Sequence, residues 1–269
     1  MIMTFQYLVT VVKKNVDEIM NLVKELNIKG DILIGNQMME EDAEYKLSCH
    51  GCSIRVFNMT SRGVSKNRNF LLLHSSADFI TFLDDDVYFV EGEQEAAESL
   101  VSRCKYNAVR FNVISDNSDR PIKQFEKEGF IKFKSLSSCG VWGIFFKREF
   151  LIKSDILFDE NVGPGTMVNH GEDALFNKLF LEQSKMYFFP LAVFHSIQKV
   201  STWHTEKRDL KIELFSHGYV YCLLYKRFAN IRSVLFLMTH MYCYPKGTKY
   251  RLLRKYMKDG IKKAKEIYQ

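Results

Sequence analysis

Proline occurs only four times in 269 residues, too rarely for long rigid linkers between separate domains. No segment reaches the roughly 20 uninterrupted apolar residues that a spanning helix needs. The cleanest run, Val234–Met238, is far too short, and Tyr219–Tyr244 around it is interrupted by Lys226, Arg227 and Arg232. No charged segment followed by an apolar stretch opens the chain, so a secretory signal is not expected. The six cysteines are accordingly expected as reduced thiols in the cytoplasm. Cys49-His-Gly-Cys52 has CxxC spacing, but no second cysteine pair exists to complete a zinc site. The GxxxxGK[ST] spacing of a P-loop is missing, as are internal repeats and low-complexity segments.

What is present suits one large α/β domain with a modest extension, since 46% of residues are apolar and 26% charged. The formal charge of +6 is unevenly placed. From Lys246 to Gln269 nine basic residues face only Asp259 and Glu266, so the tail alone exceeds the net charge and the body is close to neutral. Such a tail fits an anionic membrane surface or another polyanion; a solvated terminal helix rich in lysine is the plainer alternative. Residues Tyr219–Tyr244 read as two amphipathic helices that either lie in a membrane interface or pack on the domain's own core.

Apolar periodicity predicts strands at Tyr7–Val12, Asp31–Gly35, Ile54–Phe57 and Phe79–Leu83, with helices at Val16–Leu26 and Ser65–Ser75 between them. Further along come a helix at Glu93–Tyr106, a strand at Ala108–Ile114 and an edge segment at Ile131–Lys134. Ser137–Phe146, with Gly140, Trp142 and Gly143, leads into another strand, and Asn161–Gly171 reads as a long glycine-rich loop. A helix at Asp173–Gln183 and a strand at Met186–His195 follow, then a polar segment over Ile197–Thr205. Strand–helix alternation predicts a doubly wound sheet, whose ligands sit beyond the carboxyl ends of the strands.

Four clusters carry chemistry. Phe82-Leu-Asp-Asp-Asp-Val87 ends an apolar strand in Asp84, Asp85 and Asp86, which repel one another unless a cation or strong donors neutralise them. Hard cations such as Mn2+ or Mg2+ take such oxygens together with substrate phosphates, and extended alternation puts Asp84 and Asp86 on one side. Gly171-Glu-Asp173 opens a helix, where Asp173 either caps it or accepts a proton from an attacking hydroxyl. Ser61-Arg-Gly-Val-Ser-Lys-Asn-Arg-Asn69 joins strand to helix and offers Arg62, Lys66 and Arg68 to phosphates or to an acidic partner. His195 ends the last strand, with Trp203-His204 beyond it; a neutral imidazole there is either an extra metal ligand or structural.

In this order the clusters resemble the family 2 glycosyltransferases. The likeness rests on Gly63-Val-Ser-Lys-Asn-Arg-Asn69, Phe82-Leu-Asp-Asp-Asp-Val87, and Gly163-Pro-Gly165 leading to Gly171-Glu-Asp173, and it spans residues 5 to 205. The resemblance implies the GT-A fold, a Rossmann-like nucleotide-diphospho-sugar transferase with a mostly parallel central sheet. Residues 1–205 then form the catalytic domain and 206–269 a basic, amphipathic helical extension. It implies a DxD element in which Asp84 and Asp86, with His195, hold Mn2+ or Mg2+, and an acid pair in which Asp173, beside Glu172, is the catalytic base. The donor, UDP-linked by preference, would meet Thr10, Asn36, Gln37, Lys66, Arg68, Asp84, Asp85 and Trp142. One base and in-line attack imply inversion. The expected acceptor is a saccharide or a lipid-linked one at the inner face of the cell membrane, as in bacterial surface polysaccharide synthesis, and nucleic acid is not an expected partner.

The chain departs from the family at two points. Thr10-Val-Val-Lys-Lys-Asn15 stands where many relatives carry Pro-Thr-Tyr-Asn. The second strand ends Gly35-Asn-Gln37 rather than in acids that read uracil, although amides can still bond a pyrimidine edge. Trp142 either stacks on a sugar face or fills the core. The alternatives are a nucleotidyltransferase or similar metal-dependent phosphate enzyme, and a non-enzymatic membrane-docking scaffold on a degenerate transferase fold.

Overall fold

The computed structural model describes residues 3–118, 121–136, 139–197, 209–245 and 247–268. Its centre is a ten-stranded sheet among these residues, with four neighbouring strands running side by side in parallel: β4 (Cys52–Met59), β2 (Gly30–Gln37), β1 (Phe5–Val12) and β5 (Phe79–Asp84). Beyond β5 the order continues through β9 (Ile144–Lys147), β7 (Ala108–Ser115), β10 (Tyr187–Ser196) and β6 (Val87–Phe89). β9 is antiparallel to both neighbours, so β7 and β10 regain the direction of β1 and six of the ten strands share it. The chain moves outward from β1 in one direction through β2 and in the other through β5. β1 is therefore the switch point, and the crevice at its carboxyl end is the natural ligand site.

Alternation along β1 separates two cores. Tyr7, Val9 and Val11 face α1 (Val16–Leu26) and α3 (Glu93–Arg103), while Leu8 faces α2 (Val64–His74) and α6 (Glu172–Gln183). α1 follows its periodicity to the residue: Asn15 and Glu18 close a capping box, and Asn27 ends the helix at a φ of 51°. α2 does not look amphipathic, because Ser65, Asn67, Arg68 and Asn69 are buried beside Leu71 and Leu72. Each of these polar side chains is hydrogen-bonded inside the protein, as described below, although Asn67 Oδ1 and Arg68 Nε have no partner of their own.

Several elements differ from the sequence reading. An antiparallel edge strand, β3 (Ala43–Cys49), pairs with β4, and the CxxC is the two-residue turn between them. His50 and Gly51 have φ values of 50° and 79°, the geometry that matches hairpin twist; the cysteines are register partners and both are free thiols. The chain also turns at Asp85–Asp86 and returns as β6, so extended alternation stops at Asp84. The segment at Ile131–Lys134 is not an edge strand. A two-residue strand, β8 (Gly129–Phe130), precedes it and a single helical turn, α4 (Phe133–Leu136), begins within it. α5 (Arg148–Lys153) is an additional short helix after β9.

After the described residues resume at 209, α7 (Leu210–Tyr225), α8 (Ala229–His240) and α9 (Tyr250–Tyr268) form the extension. The expected domain boundary at 205/206, and Trp203-His204, lie outside the described residues. α7 packs on the body: Tyr219 and Val220 share a cluster with Val162 and Val168 of the glycine-rich loop. Helices α7 and α9 touch backbone to backbone at two glycines. A Cβ on Gly218 would lie 2.0 Å from the Met257 carbonyl oxygen, and one on Gly260 2.0 Å from that of Phe215. No described helix is long and apolar enough to cross a membrane.

Gly260→Ala is expected to destabilise the protein by ~1–3 kcal/mol, because the helices must separate to admit one methyl. Thermal unfolding checks this; an unchanged Tm would mean the α7–α9 contact is looser than described.

Candidate active site

The site lies at the carboxyl ends of β1, β2 and β5. Thr10 pairs with Gly35 on one side and Asp84 on the other, placing it at the switch point. Four buried polar side chains of α2 tie the helix to the sheet and to the segments around this end of it. Asn67 donates to the Gly35 carbonyl at 2.8 Å, and its amide occupies the space a Cβ on Gly35 would need. Asn69 donates to the Phe158 carbonyl and accepts from the Phe158 N–H, while Ser65 donates to the Val162 carbonyl. Arg68, between the asparagines, supplies the charge.

The Arg68 side chain is 2% exposed. Its Nη2 donates to Asp84 Oδ1 at 2.7 Å and its Nη1 to Asp173 Oδ1 at 2.6 Å, while Glu172 Oε1 lies 3.9 Å from Nη1. The guanidinium also lies over the Phe158 ring, 5.3 Å from its centroid. Asp173 does not cap α6: the cap position is Gly171, at a φ of 101°, with no side-chain capping bond. Its carboxylate is turned to Arg68, and the nearby Val141 backbone also favours its charged form.

The glycine-rich loop is held to α2 rather than merely near it. The Val64 N–H donates to the Pro164 carbonyl, and a Cβ on Gly165 would sit 3.1 Å from Gly63 Cα. Gly165 has a φ of 93°, so backbone conformation and close approach both require glycine. The loop thus delivers Glu172 and Asp173 opposite Asp84.

Burial and like charge set the electrostatics. Glu172 is 12% exposed and its pKa is pushed up to about 8, first by burial and then by Asp173, with Arg68 opposing. Asp173 is raised in the same direction by burial; Arg68 opposes this and Asp84 adds to it. Burial works against the Arg68 charge, yet Asp173, Asp84 and Glu172 together hold it protonated well above the ordinary arginine range.

Other residues singled out from the sequence have different surroundings. Asn36 is fully buried: its amide bonds both the N–H and the carbonyl of Lys14 and also Asn58. Gln37 accepts the Gly63 N–H at 2.8 Å. Both amides hold loops in place, and Asn36 has no surface with which to read a base. Lys66 is exposed at the first turn of α2, whereas Arg68, assigned from sequence to phosphates, is committed to carboxylates. Asp85 pairs with Lys14 at 3.5 Å. Trp142 is half-buried, packed on the core with its indole over Gly140.

His195 belongs to a cluster the sequence did not reveal. Its Nδ1 lies 2.6 Å from Asp116 Oδ1, Tyr88 donates to Asp116 Oδ2 at 2.6 Å, and the Tyr88 and His195 rings stack. These bonds, that of Tyr88 first, lower the Asp116 pKa, and Asp116 pushes Tyr88 up to about 12. Asp86 stands beside this cluster, its carbonyl accepting the Ile197 N–H. Arg110, a buried cation in β7 donating to the Gly140 carbonyl, was likewise missed. The signal for it was a charged residue inside the apolar run Ala108-Val-Arg-Phe-Asn-Val113.

Among the described residues no group of three or more His, Cys, Asp or Glu side chains is arranged to hold a metal. The donors Asp84, Asp86 and His195 are nevertheless of the kind hard cations accept when substrate phosphates complete the shell. A carboxylate on Nδ1, as Asp116 provides, is the arrangement that orients an imidazole ligating through Nε2.

The sheet order, the strand-end acids and the loop acid together define the GT-A fold. Similar solved structures include those of TarS from S. aureus. Residues 1–349 of TarS in complex with UDP-GlcNAc superpose with a TM-score of 0.62 at 14% identity, covering 89% of this chain and 73% of that one. The UDP complex gives 0.61 at 13%, covering 93% and 76%. Against another TarS structure the score is 0.59 at 12% identity, covering 99% of this chain but 55% of that one. No protein-family model and no curated protein matches the sequence, so the resemblance read from the motifs holds at the level of the fold.

Glu172→Gln tests the electrostatics. A carboxyl group whose folded pKa is raised stabilises the fold below its unfolded value near ~4.3 and loses that contribution as pH rises through about 8. The substitution is therefore expected to raise Tm above pH 8 relative to the native chain, and to leave it little changed near pH 4. Arg68→Met, which strands three carboxylates, is expected to cost ~3–5 kcal/mol, most at alkaline pH. Denaturant unfolding across pH checks both; a loss independent of pH would contradict the assignment.

Proposed function

We propose that the chain is an inverting glycosyltransferase that moves a sugar from a nucleotide diphosphate donor, UDP-linked by preference, to an acceptor hydroxyl. The observation that carries this reading is the single buried guanidinium that brings Asp173, on the loop side, to the strand-end acid Asp84. The likeness to TarS structures that hold UDP-GlcNAc and UDP supports the donor class.

Asp173 accepts the acceptor proton as the acceptor oxygen bonds the anomeric carbon and the bond from that carbon to the diphosphate oxygen breaks. The Asp173 side chain is 20% exposed and so still opens on solvent, while burial raises its basicity toward the working pH. Arg68 fixes its orientation, and Glu172 beside it stays protonated over much of the neutral range, which limits negative charge in the pocket. Lys66, exposed at the start of α2, is placed to meet the phosphates. Thr10 and Asp85 border the same crevice, and Trp142, just before β9, would stack on the donor sugar. Mn2+ or Mg2+ held by Asp84, Asp86 and His195 would neutralise charge on the departing diphosphate. We assign the acceptor to saccharides or lipid-linked saccharides of bacterial surface polysaccharide synthesis, reached from the cytoplasmic face of the membrane.

Calorimetry with UDP, with and without Mn2+, tests the donor site: Mn2+-dependent binding is expected, and no nucleotide binding at all would favour a scaffold. Asp173→Asn is expected to lower transfer ~10²–10⁴-fold with UDP affinity unchanged; equal turnover would remove Asp173 from the mechanism.

A further inference from the structure

We propose that the outer face of α8 is an interfacial anchor that seats on an anionic lipid bilayer. This deepens the peripheral-membrane element of the proposed function and is independent of the chemistry at Asp173.

α8 meets the rest of the protein through Ala229, Ser233 and Leu237, all buried. Its other side, extended by the turns at each end, presents Phe228, Ile231, Leu235, Met238 and Tyr242, among them Met238 at 67% and Tyr242 at 83% exposed. Steps of three and four residues keep these side chains in one stripe. Five large apolar side chains in line are more than scattered surface hydrophobics account for, and such a stripe marks a contact surface.

Charge identifies what the stripe contacts. Between Glu213 and Asp259 the sequence has no aspartate or glutamate but nine lysines and arginines. Exposed Arg227 directly precedes the stripe and exposed Arg232 lies within its span. At one end of α8, Lys226, Arg227 and Lys265 rim a cavity of about 410 Å³ floored by Ala229, Ile261 and Ala264. That combination, apolar below and cationic at the mouth, suits a lipid headgroup with its first methylenes. Arg251, Lys255 and Lys258 line a groove along neighbouring α9. A second copy of the chain docking through this face would set cations against cations. An anionic bilayer offers both a hydrocarbon boundary for the stripe and negative charge for its flanks.

Truncating the extension is a poor test, because α7 supports the glycine loop: Val220 packs on Gly171, and Ser216 accepts the Asn169 N–H. The experiment is flotation of the full chain with vesicles of phosphatidylcholine alone or mixed equally with phosphatidylglycerol. The native chain is expected to float with the mixed vesicles, far less with phosphatidylcholine, and to release as salt rises. Ile231→Ser/Met238→Ser is expected to lower recovery about tenfold, and Arg227→Gln/Arg232→Gln to weaken the preference for anionic lipid. UDP calorimetry on each variant, expected unchanged, shows that the fold and the donor site are intact. Equal recovery of native and apolar-stripe variants would overturn the anchor, as would sedimentation showing a dimer that the serine variant dissolves. Failure of UDP binding in the native chain would instead strike the catalytic reading and leave the anchor standing.

Discussion

Arg68 is buried where strand, helix and loop meet, and its charge is divided between Asp84 and Asp173 with Glu172 close by. Three acids in one pocket repel and are costly to desolvate, and a lone buried arginine is as costly; each becomes tolerable only through the other. The sheet supplies Asp84, the glycine-rich loop supplies the acid pair, and α2 supplies the counterion. Remove the shared cation and the loop has no electrostatic reason to lie over the strand end. The same arrangement keeps Asp173 oriented, basic and in reach of solvent, which is what a proton acceptor for a hydroxyl requires.

Close packing around this contact makes it rigid. Gly165 lies against Gly63, Gly35 admits Asn67, and Gly171 meets Val220 of α7. At each point glycine admits a neighbour that a side chain would crowd, so loop, helix and extension are in close contact. The extension is therefore part of the scaffold of the candidate site on its inner side, through α7. It is a separate surface on its outer side, through α8. One helical hairpin thus links the setting of Asp173 to an exposed apolar stripe.

Much of the fold was legible in the sequence. α1 and the strands β1, β2, β4, β5, β7 and β10 announce themselves by apolar runs or periodicity, and Asp84 and Asp173 by position at a strand end and after a glycine loop. The edge strand β3 lacks the continuous apolar run that marks the buried strands; its one sign is the alternation of apolar and polar residues through Ala43-Glu-Tyr-Lys-Leu-Ser-Cys49, most of them exposed or half-exposed at the sheet edge. The hairpin turn was hidden by its cysteines, which drew attention to CxxC chemistry rather than to His50-Gly51. The roles of Arg68, Asn36 and Gln37 were illegible for a different reason. Polar side chains at a strand end, as Asn36 and Gln37, or on a nearby helix, as Arg68, look the same in sequence whether they face a ligand or clamp a neighbouring segment, and only their hydrogen-bond partners decide. The Tyr88–Asp116–His195 cluster joins residues up to 107 positions apart, and no local pattern reports a contact of that kind.

A double-mutant cycle on Asp84→Asn and Asp173→Asn, read by denaturant unfolding at neutral pH, tests the shared counterion most directly. If one guanidinium serves both acids, either substitution changes what the other acid experiences, and the two effects should depart from additivity by ~1 kcal/mol or more. Additivity within ~0.3–0.5 kcal/mol would mean that the two carboxylates are independent, and that the strand end and the loop are not joined as described.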